Sequence, residues 1–232
     1  MKKYEYLLFD ADNTLLDFTE AERRAFRFTC EKCGVVYSEE LQEIYSEINT
    51  SLWKKLETGE IKLDFLKLER FRLFLIHYDG EEREDTTERA HEMKNTYMET
   101  LSLQGCLIDG AEELCANLSK KYKMYIVTNG ISKIQRSRLS LSPLPQYFSG
   151  VFISEEIGFA KPSTDYFDYV LASIGERDRS KYLVIGDSLS SDCDGAIASG
   201  LDICFYNPKN LSNKGRELTY NINKLSELYN IL

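Results

Sequence analysis

Two regimes of hydrophobic patterning divide the chain. Tyr4-Glu5-Tyr6-Leu7-Leu8-Phe9 is a short apolar run that stops abruptly at Asp10-Ala11-Asp12. A buried strand feeding a carboxylate-bearing loop has this form. From Phe18 the period becomes helical, with Phe18, Ala21, Ala25 and Phe28 recurring at threes and fours. Ser38 offers an N-cap ahead of Glu39 and Glu40, and Leu41, Ile44, Tyr45, Ile48, Leu52 and Leu56 follow until Gly59 breaks the pattern. Asp64 can cap a helix through Leu66, Phe71 and Leu75 that Asp79-Gly80 stops, and Ala90, Met93, Tyr97 and Leu101 mark another. Residues 17–103 therefore predict helices only.

After Gly105 the pattern alternates. Helical Ala111, Leu114, Cys115 and Leu118 precede the strand-like run Lys123–Val127, which ends in Thr128-Asn129-Gly130. Gly150–Ile153 is a short strand, and a helix through Phe167, Val170, Leu171 and Ile174 ends at Gly175, a left-handed cap. Tyr182–Ile185 runs into Gly186-Asp187, and a helix through Ala196 and Ile197 ends at Gly200 before the strand Leu201–Phe205. Strands alternating with helices imply α/β architecture with a doubly wound, Rossmann-like parallel sheet. The organisation expected is an α/β core of residues 1–16 and 104–232, interrupted after its first strand by a helical insert of residues 17–103.

Composition narrows the function classes. Hydrophobic residues make up 43% of the 232, with only 13 glycines and 4 prolines, so a packed globule is expected rather than a collagenous or disordered chain. No apolar run approaches the roughly 18 residues that span a bilayer. Acidic residues interrupt the basic start before any signal-peptide core, so no membrane partner and a cytoplasmic location are expected. A net charge of −9 argues against nucleic acid as a partner, although a local basic pocket can still hold a small phosphate. The six cysteines are expected reduced and mostly buried, and Cys30-x-x-Cys33 fits one face of a helix as well as half of a metal or redox pair. Oligomeric state leaves no mark in the sequence.

Three of the expected strands end in polar clusters: Asp10-x-Asp12-x-Thr14, Thr128-Asn129-Gly130 and Gly186-Asp187. Ligands of open parallel sheets bind at the carboxyl ends of the strands, so the clusters should converge on one crevice, toward which Lys161-Pro162 can point a cation. Close carboxylates prefer a shared proton or a bound cation, and an all-oxygen set suits Mg²⁺. Mg²⁺ with a lysine, a hydroxyl and backbone N–H groups clamps a phosphoryl group, and a spare carboxylate can attack phosphorus to give an aspartyl phosphate. The bland alternative is that these Asp and Asn residues only cap helices.

In order and context, Asp10-Ala11-Asp12-Asn13-Thr14, Thr128-Asn129-Gly130, Lys161-Pro162 and Gly186-Asp187 with Asp192 resemble the four motifs of the haloacid dehalogenase-like hydrolases. The helical insert is similar to that family's cap. The resemblance implies Asp10 as nucleophile and Asp12 as general acid and then base, with its backbone carbonyl on Mg²⁺. It implies Thr128 and Asn129 as holders of the phosphoryl group, Lys161 as charge balance, Asp187 as metal ligand, and Asp192 as the residue orienting Lys161 or a metal-bound water. Dehalogenating members lack an acid at the position of Asp12, so phosphoryl transfer is favoured. Ser188 stands where some relatives carry a second acid. The stretches Phe9–Leu15, Thr128-Asn129-Gly130 with Gln135, Arg138 and Leu139, and Ile153–Glu156 with Gly158 further resemble the bacterial pyrimidine 5′-nucleotidase branch. A small phosphomonoester is the partner implied, most specifically a nucleoside 5′-monophosphate, over which the cap would close.

Sugar-phosphate phosphatase or phosphomutase activity is the first alternative, with Lys54, Lys55 or Arg23 available for a second phosphate. A phospho-accepting regulatory or binding module is the second. Trp53 and Phe18 are at once candidate substrate contacts and packing residues. His77 and His91 have no complementary motif. Metalloprotease, serine-hydrolase, P-loop and dinucleotide signatures are absent.

Overall fold

The computed structural model describes residues 4–232. Its strands are β1 (Tyr6–Phe9), β2 (Lys123–Thr128), β3 (Gly150–Ile153), β4 (Tyr182–Gly186), β5 (Asp202–Tyr206) and β6 (Tyr220–Ile222). They form one sheet in the order β3-β2-β1-β4-β5-β6, every pairing parallel. The first strand is therefore central. Phe9 stands opposite Ile126 on one side and Ile185 on the other, so the three strands end within two residues of one another. The order reverses on either side of β1, and this reversal opens the crevice in which such sheets hold ligands.

The central strands are mainly apolar because both faces are covered. Leu7, Phe9, Met124, Ile126, Leu183, Ile185 and Cys204 point into one core. Leu8, Val127, Val184, Ile203 and Phe205 point into the other, where Tyr166, Phe167 and Val170 pack. The edge strand β6 has no counterpart in the sequence reading, since three residues are too few to show a period.

The chain folds into two compact units. An α/β unit comprises the residues up to Phe18 together with Gly105–Leu232, and a helical unit comprises Thr19–Gln104. The helices that build the latter are α1 (Phe18–Lys32), α2 (Glu39–Glu57), α3 (Leu63–Asp79) and α4 (Thr86–Ser102). Ser38 caps α2 by accepting from Leu41 N at 3.2 Å, as its position predicts. Gly80 closes α3 at φ +80°. Asp64 lies in the first turn of α3 rather than at its cap, because the helix starts behind Lys62.

The inner face of α1 differs from expectation. Phe28 is 42% exposed, and Phe26 is buried in its place, stacked on Tyr45 at 4.3 Å and edge-on to Phe74 at 4.9 Å. That face also carries Glu22 and Thr29, whose polarity hides it from a hydrophobic pattern.

The α/β unit is completed by α5 (Ala111–Leu118), α6 (Ser132–Ser140), α7 (Ser154–Ile157), α8 (Thr164–Ile174) and α9 (Asp194–Ala198). All six cysteines are free thiols. Among the described residues no helix is long and apolar enough to cross a membrane.

Candidate active site

The ends of β1, β2 and β4 bring the candidate residues together. Asp10 extends the ladder by one residue, its N–H donating to Ile185 O at 2.8 Å. The chain then turns through Asn13 in the left-handed region at φ +58°, a conformation that asparagine tolerates better than most residues. This turn lets Leu15 N and Leu16 N both donate to Ala11 O, at 2.9 and 2.8 Å. Asp10 and Asp12 are thereby held on a rigid bend.

Lys161 lies in the segment between α7 and α8, and its side chain is 1% exposed. Its ammonium donates to Asp10 Oδ1 at 2.6 Å, Asp192 Oδ1 at 2.6 Å and Val127 O at 2.8 Å. Three donors meet three acceptors, which is the full capacity of the group. Asp192 is fixed in turn, its Oδ2 accepting from Ser188 N at 3.0 Å. Gly186 makes that approach feasible, because a Cβ there would lie 2.3 Å from Asp192 Cγ.

Negative charge is in excess here. Carboxylate oxygens of Asp10, Asp187 and Asp192 lie within 4.8 Å of one another, against the one ammonium of Lys161. Burial pushes the Asp10 carboxyl up to about 7, with Asp192 and Asp12 adding to the rise and Lys161 opposing it. Burial likewise holds Asp187 well above the ordinary carboxylate range, reinforced by Asp10 and Asp192. Burial works against the charge on Lys161, but Asp10 and Asp192 outweigh it and keep the ammonium protonated far into the alkaline range. A buried, all-oxygen, net negative donor set fits a hard divalent cation such as Mg²⁺.

Thr128 ends β2 with its hydroxyl buried, and Asn129 follows. The Asn129 amide is engaged with the backbone of Lys161, donating from Nδ2 to its carbonyl at 2.7 Å and accepting its N–H on Oδ1 at 2.9 Å. It staples the two segments together, so its side chain has at most one N–H for another ligand.

Two side chains on α6 had no assigned role in the sequence. Gln135 Nε2 donates to Asp12 Oδ2 at 2.7 Å and to Thr128 Oγ1 at 2.9 Å. Arg138 Nη1 donates to Asp12 Oδ1 at 2.5 Å and to Gln135 Oε1 at 3.0 Å. The sequence marks them only through the resemblance to the pyrimidine 5′-nucleotidase branch; their spacing of three puts both on one helix face.

A parallel sheet with aspartates at the ends of its central strands and a buried lysine between them is the arrangement of a hydrolase family, and the comparisons agree. The haloacid dehalogenase-like hydrolase model matches residues 4–200, and the chain belongs to that family. It is accordingly an enzyme. HAD-hydrolase YfnB of Bacillus subtilis is 39% identical over 100% of this chain and 97% of that protein. A crystal structure of YfnB bound to magnesium superposes with a TM-score of 0.91, covering 100% of this chain and 99% of the other. Pyrimidine 5′-nucleotidase PynA of Streptococcus pneumoniae is 35% identical, over 99% of this chain and 95% of its own length. Pyrimidine 5′-nucleotidase YjjG of Escherichia coli is 30% identical, over 99% and 98%.

Proposed function

We propose that the protein is a Mg²⁺-dependent phosphatase of nucleoside 5′-monophosphates, pyrimidine ones foremost, working through an aspartyl phosphate on Asp10. The observation that carries the chemistry is the clamp on Asp10: Lys161 holds Oδ1 at 2.6 Å and leaves the other oxygen to attack. Similarity to two named pyrimidine 5′-nucleotidases along nearly their whole length supports the substrate class. Asp10, Asp187 and the Asp12 carbonyl are the groups to hold Mg²⁺, with Asp192 behind them; the ion would supply positive charge against phosphoryl oxygens.

In the first half of the reaction an Asp10 oxygen forms a bond to phosphorus as the bond to the leaving oxygen breaks. Asp12 gives that oxygen its proton. In the second half Asp12 takes a proton from water as the water oxygen bonds to phosphorus. The Asp10–phosphorus bond breaks, and inorganic phosphate and the free carboxylate result. Lys161 offsets charge on the nucleophile throughout. Thr128 Oγ1 accepts from Gln135 at 2.9 Å, so its own proton is free to be donated to a phosphoryl oxygen. Asn129 contributes chiefly by tying Lys161 in place. Six free thiols accord with a reducing, cytoplasmic setting.

The test is phosphate release from a panel of nucleoside monophosphates and sugar phosphates, with Mg²⁺ and with chelator. Mg²⁺-dependent release concentrated on pyrimidine monophosphates is the expected result. Release confined to sugar phosphates would remove the nucleotidase reading and leave the aspartyl-phosphate chemistry intact.

A further inference from the structure

We propose that Gln135 and Arg138 are positioning residues that aim the Asp12 carboxylate, and that they couple it to the phosphoryl-holding hydroxyl of Thr128. This rests on the reading of Asp12 as the proton donor and acceptor. Among the described residues, both oxygens of Asp12 are taken by this pair: Oδ1 by Arg138 at 2.5 Å and Oδ2 by Gln135 at 2.7 Å.

The hydrogen-bond count fixes the arrangement. The Gln135 amide has two N–H donors, used on Asp12 Oδ2 and Thr128 Oγ1, while its carbonyl accepts from Arg138 at 3.0 Å. Flipping the amide would set its oxygen against the Asp12 carboxylate and its N–H group against Arg138, so only one orientation is satisfied. Asp12, Gln135, Thr128 and Arg138 are therefore joined in one hydrogen-bonded network.

Burial is lopsided across this network. The Arg138 side chain is 1% exposed and that of Asp12 is 25% exposed, so the grip comes from inside and leaves an outward face of the carboxylate open. Phe18 covers the guanidinium at 5.5 Å from its ring centroid. A buried arginine is costly unless a carboxylate meets it, and here the partner is the one acid meant to exchange protons. Space is reserved for the arrangement as well. A Cβ on Gly130 would lie 2.7 Å from Gln135 Cγ, so only glycine at 130 lets Gln135 reach both partners.

Loss of aim differs from loss of structure in which half-reaction suffers. Nitrophenolate departs without a proton, so phosphoenzyme formation from 4-nitrophenyl phosphate does not need an aimed acid. The water step does. Departure of a nucleoside alkoxide needs the acid as well. Stopped-flow and acid-quench kinetics should be run on the full chain with Mg²⁺ for the wild type, Asp12→Ala, Gln135→Ala, Gln135→Glu and Arg138→Met.

Gln135→Ala is expected to lose about 10²-fold in steady-state turnover of a nucleoside 5′-monophosphate, with KM changed less than about threefold. With 4-nitrophenyl phosphate it should give a nitrophenolate burst near one per site, followed by slow release. Gln135→Glu keeps the shape without the donor and should behave like Gln135→Ala, which keeps the test intact if Arg138→Met does not fold. Equal slowing of burst and steady state on both substrates, or no slowing, would overturn the proposal. If Asp12→Ala shows the burst pattern and the Gln135 variants do not, positioning alone fails. If Asp12→Ala lacks it, or the wild type forms no phosphoenzyme, the reading beneath fails and the proposal falls with it.

Discussion

Each unit buries a polar cluster, and the two are built on opposite principles. In the helical unit Glu22 accepts from Ser46 Oγ at 2.5 Å and from Asn49 Nδ2 at 2.8 Å, and Asn49 Oδ1 accepts from Arg70 at 3.1 Å. The Arg70 guanidinium lies against Phe71 and Tyr97, at 5.0 and 4.8 Å from their centroids. One carboxylate and one guanidinium are joined through an amide, so the cluster is neutral and holds three helices together. At the strand ends of the α/β unit, three carboxylates crowd around one ammonium. Buried charge alone does not mark a site. An excess of one sign does, because it is stable only when a proton or a cation completes it.

The largest effect should come from Lys161→Met. Among the described residues it removes the one cation paired with Asp10 and Asp192, and a buried pair broken on one side costs about 3–5 kcal/mol. Turnover should become undetectable, and chemical denaturation should show the stability loss unless added Mg²⁺ restores part of it. Full stability without the lysine would mean that the carboxylates are not ionised together.

Arg70→Met and Asp187→Asn should separate the two clusters. Arg70→Met should destabilise by about 3 kcal/mol, since Asn49 and Glu22 lose their cation, yet keep the wild-type rise in Tm on adding Mg²⁺. Asp187→Asn should do the reverse, unfolding no earlier without the ion and losing most of the rise with it. The comparison breaks if both variants respond to Mg²⁺ alike.

A smaller effect follows from pH. In the ion-free protein Asp10 is raised to about 7 and Asp187 is also raised, both first by burial. The folded chain therefore binds more protons than the unfolded one between the ordinary carboxylate value and those raised values. This contribution to stability is complete at about pH 4 and is lost as pH climbs through 7. Mg²⁺ needs the ionised carboxylates, so its rise in Tm should be larger at pH 8 than at pH 5 by calorimetry. An equal rise at both would show that the ion binds elsewhere.

What the sequence revealed follows the same division. Asp10, Thr128 and Asp187 were legible because an apolar run ending in a polar residue is a one-dimensional signal that survives folding. Parallel strands then bring those ends to within one residue of each other without further information. Phe26 was hidden because the buried face of α1 includes Glu22 and Thr29, whose partners lie on α2 and, for Thr29, one turn back at Ala25 O. Gln135 and Arg138 stand out in the sequence only as marks of resemblance, since a carboxylate 123 and 126 residues away gives a helix no local pattern. The motif implies Asn129 as a phosphoryl holder, and in the structure its amide is largely engaged with the backbone of Lys161.

The central claim, that Asp10 carries a phosphoryl group in turnover, can be met head-on. Acid quench of the enzyme during turnover of phosphate-labelled nucleoside 5′-monophosphate, followed by peptide mapping, should find label on the peptide containing Asp10. The label should be released by hydroxylamine, as an acyl phosphate is, and should be absent from Asp10→Asn, which should turn over at least about 10⁴-fold more slowly. Full phosphate release by the wild type with no labelled enzyme at any quench time, together with retained turnover in Asp10→Asn, would contradict it.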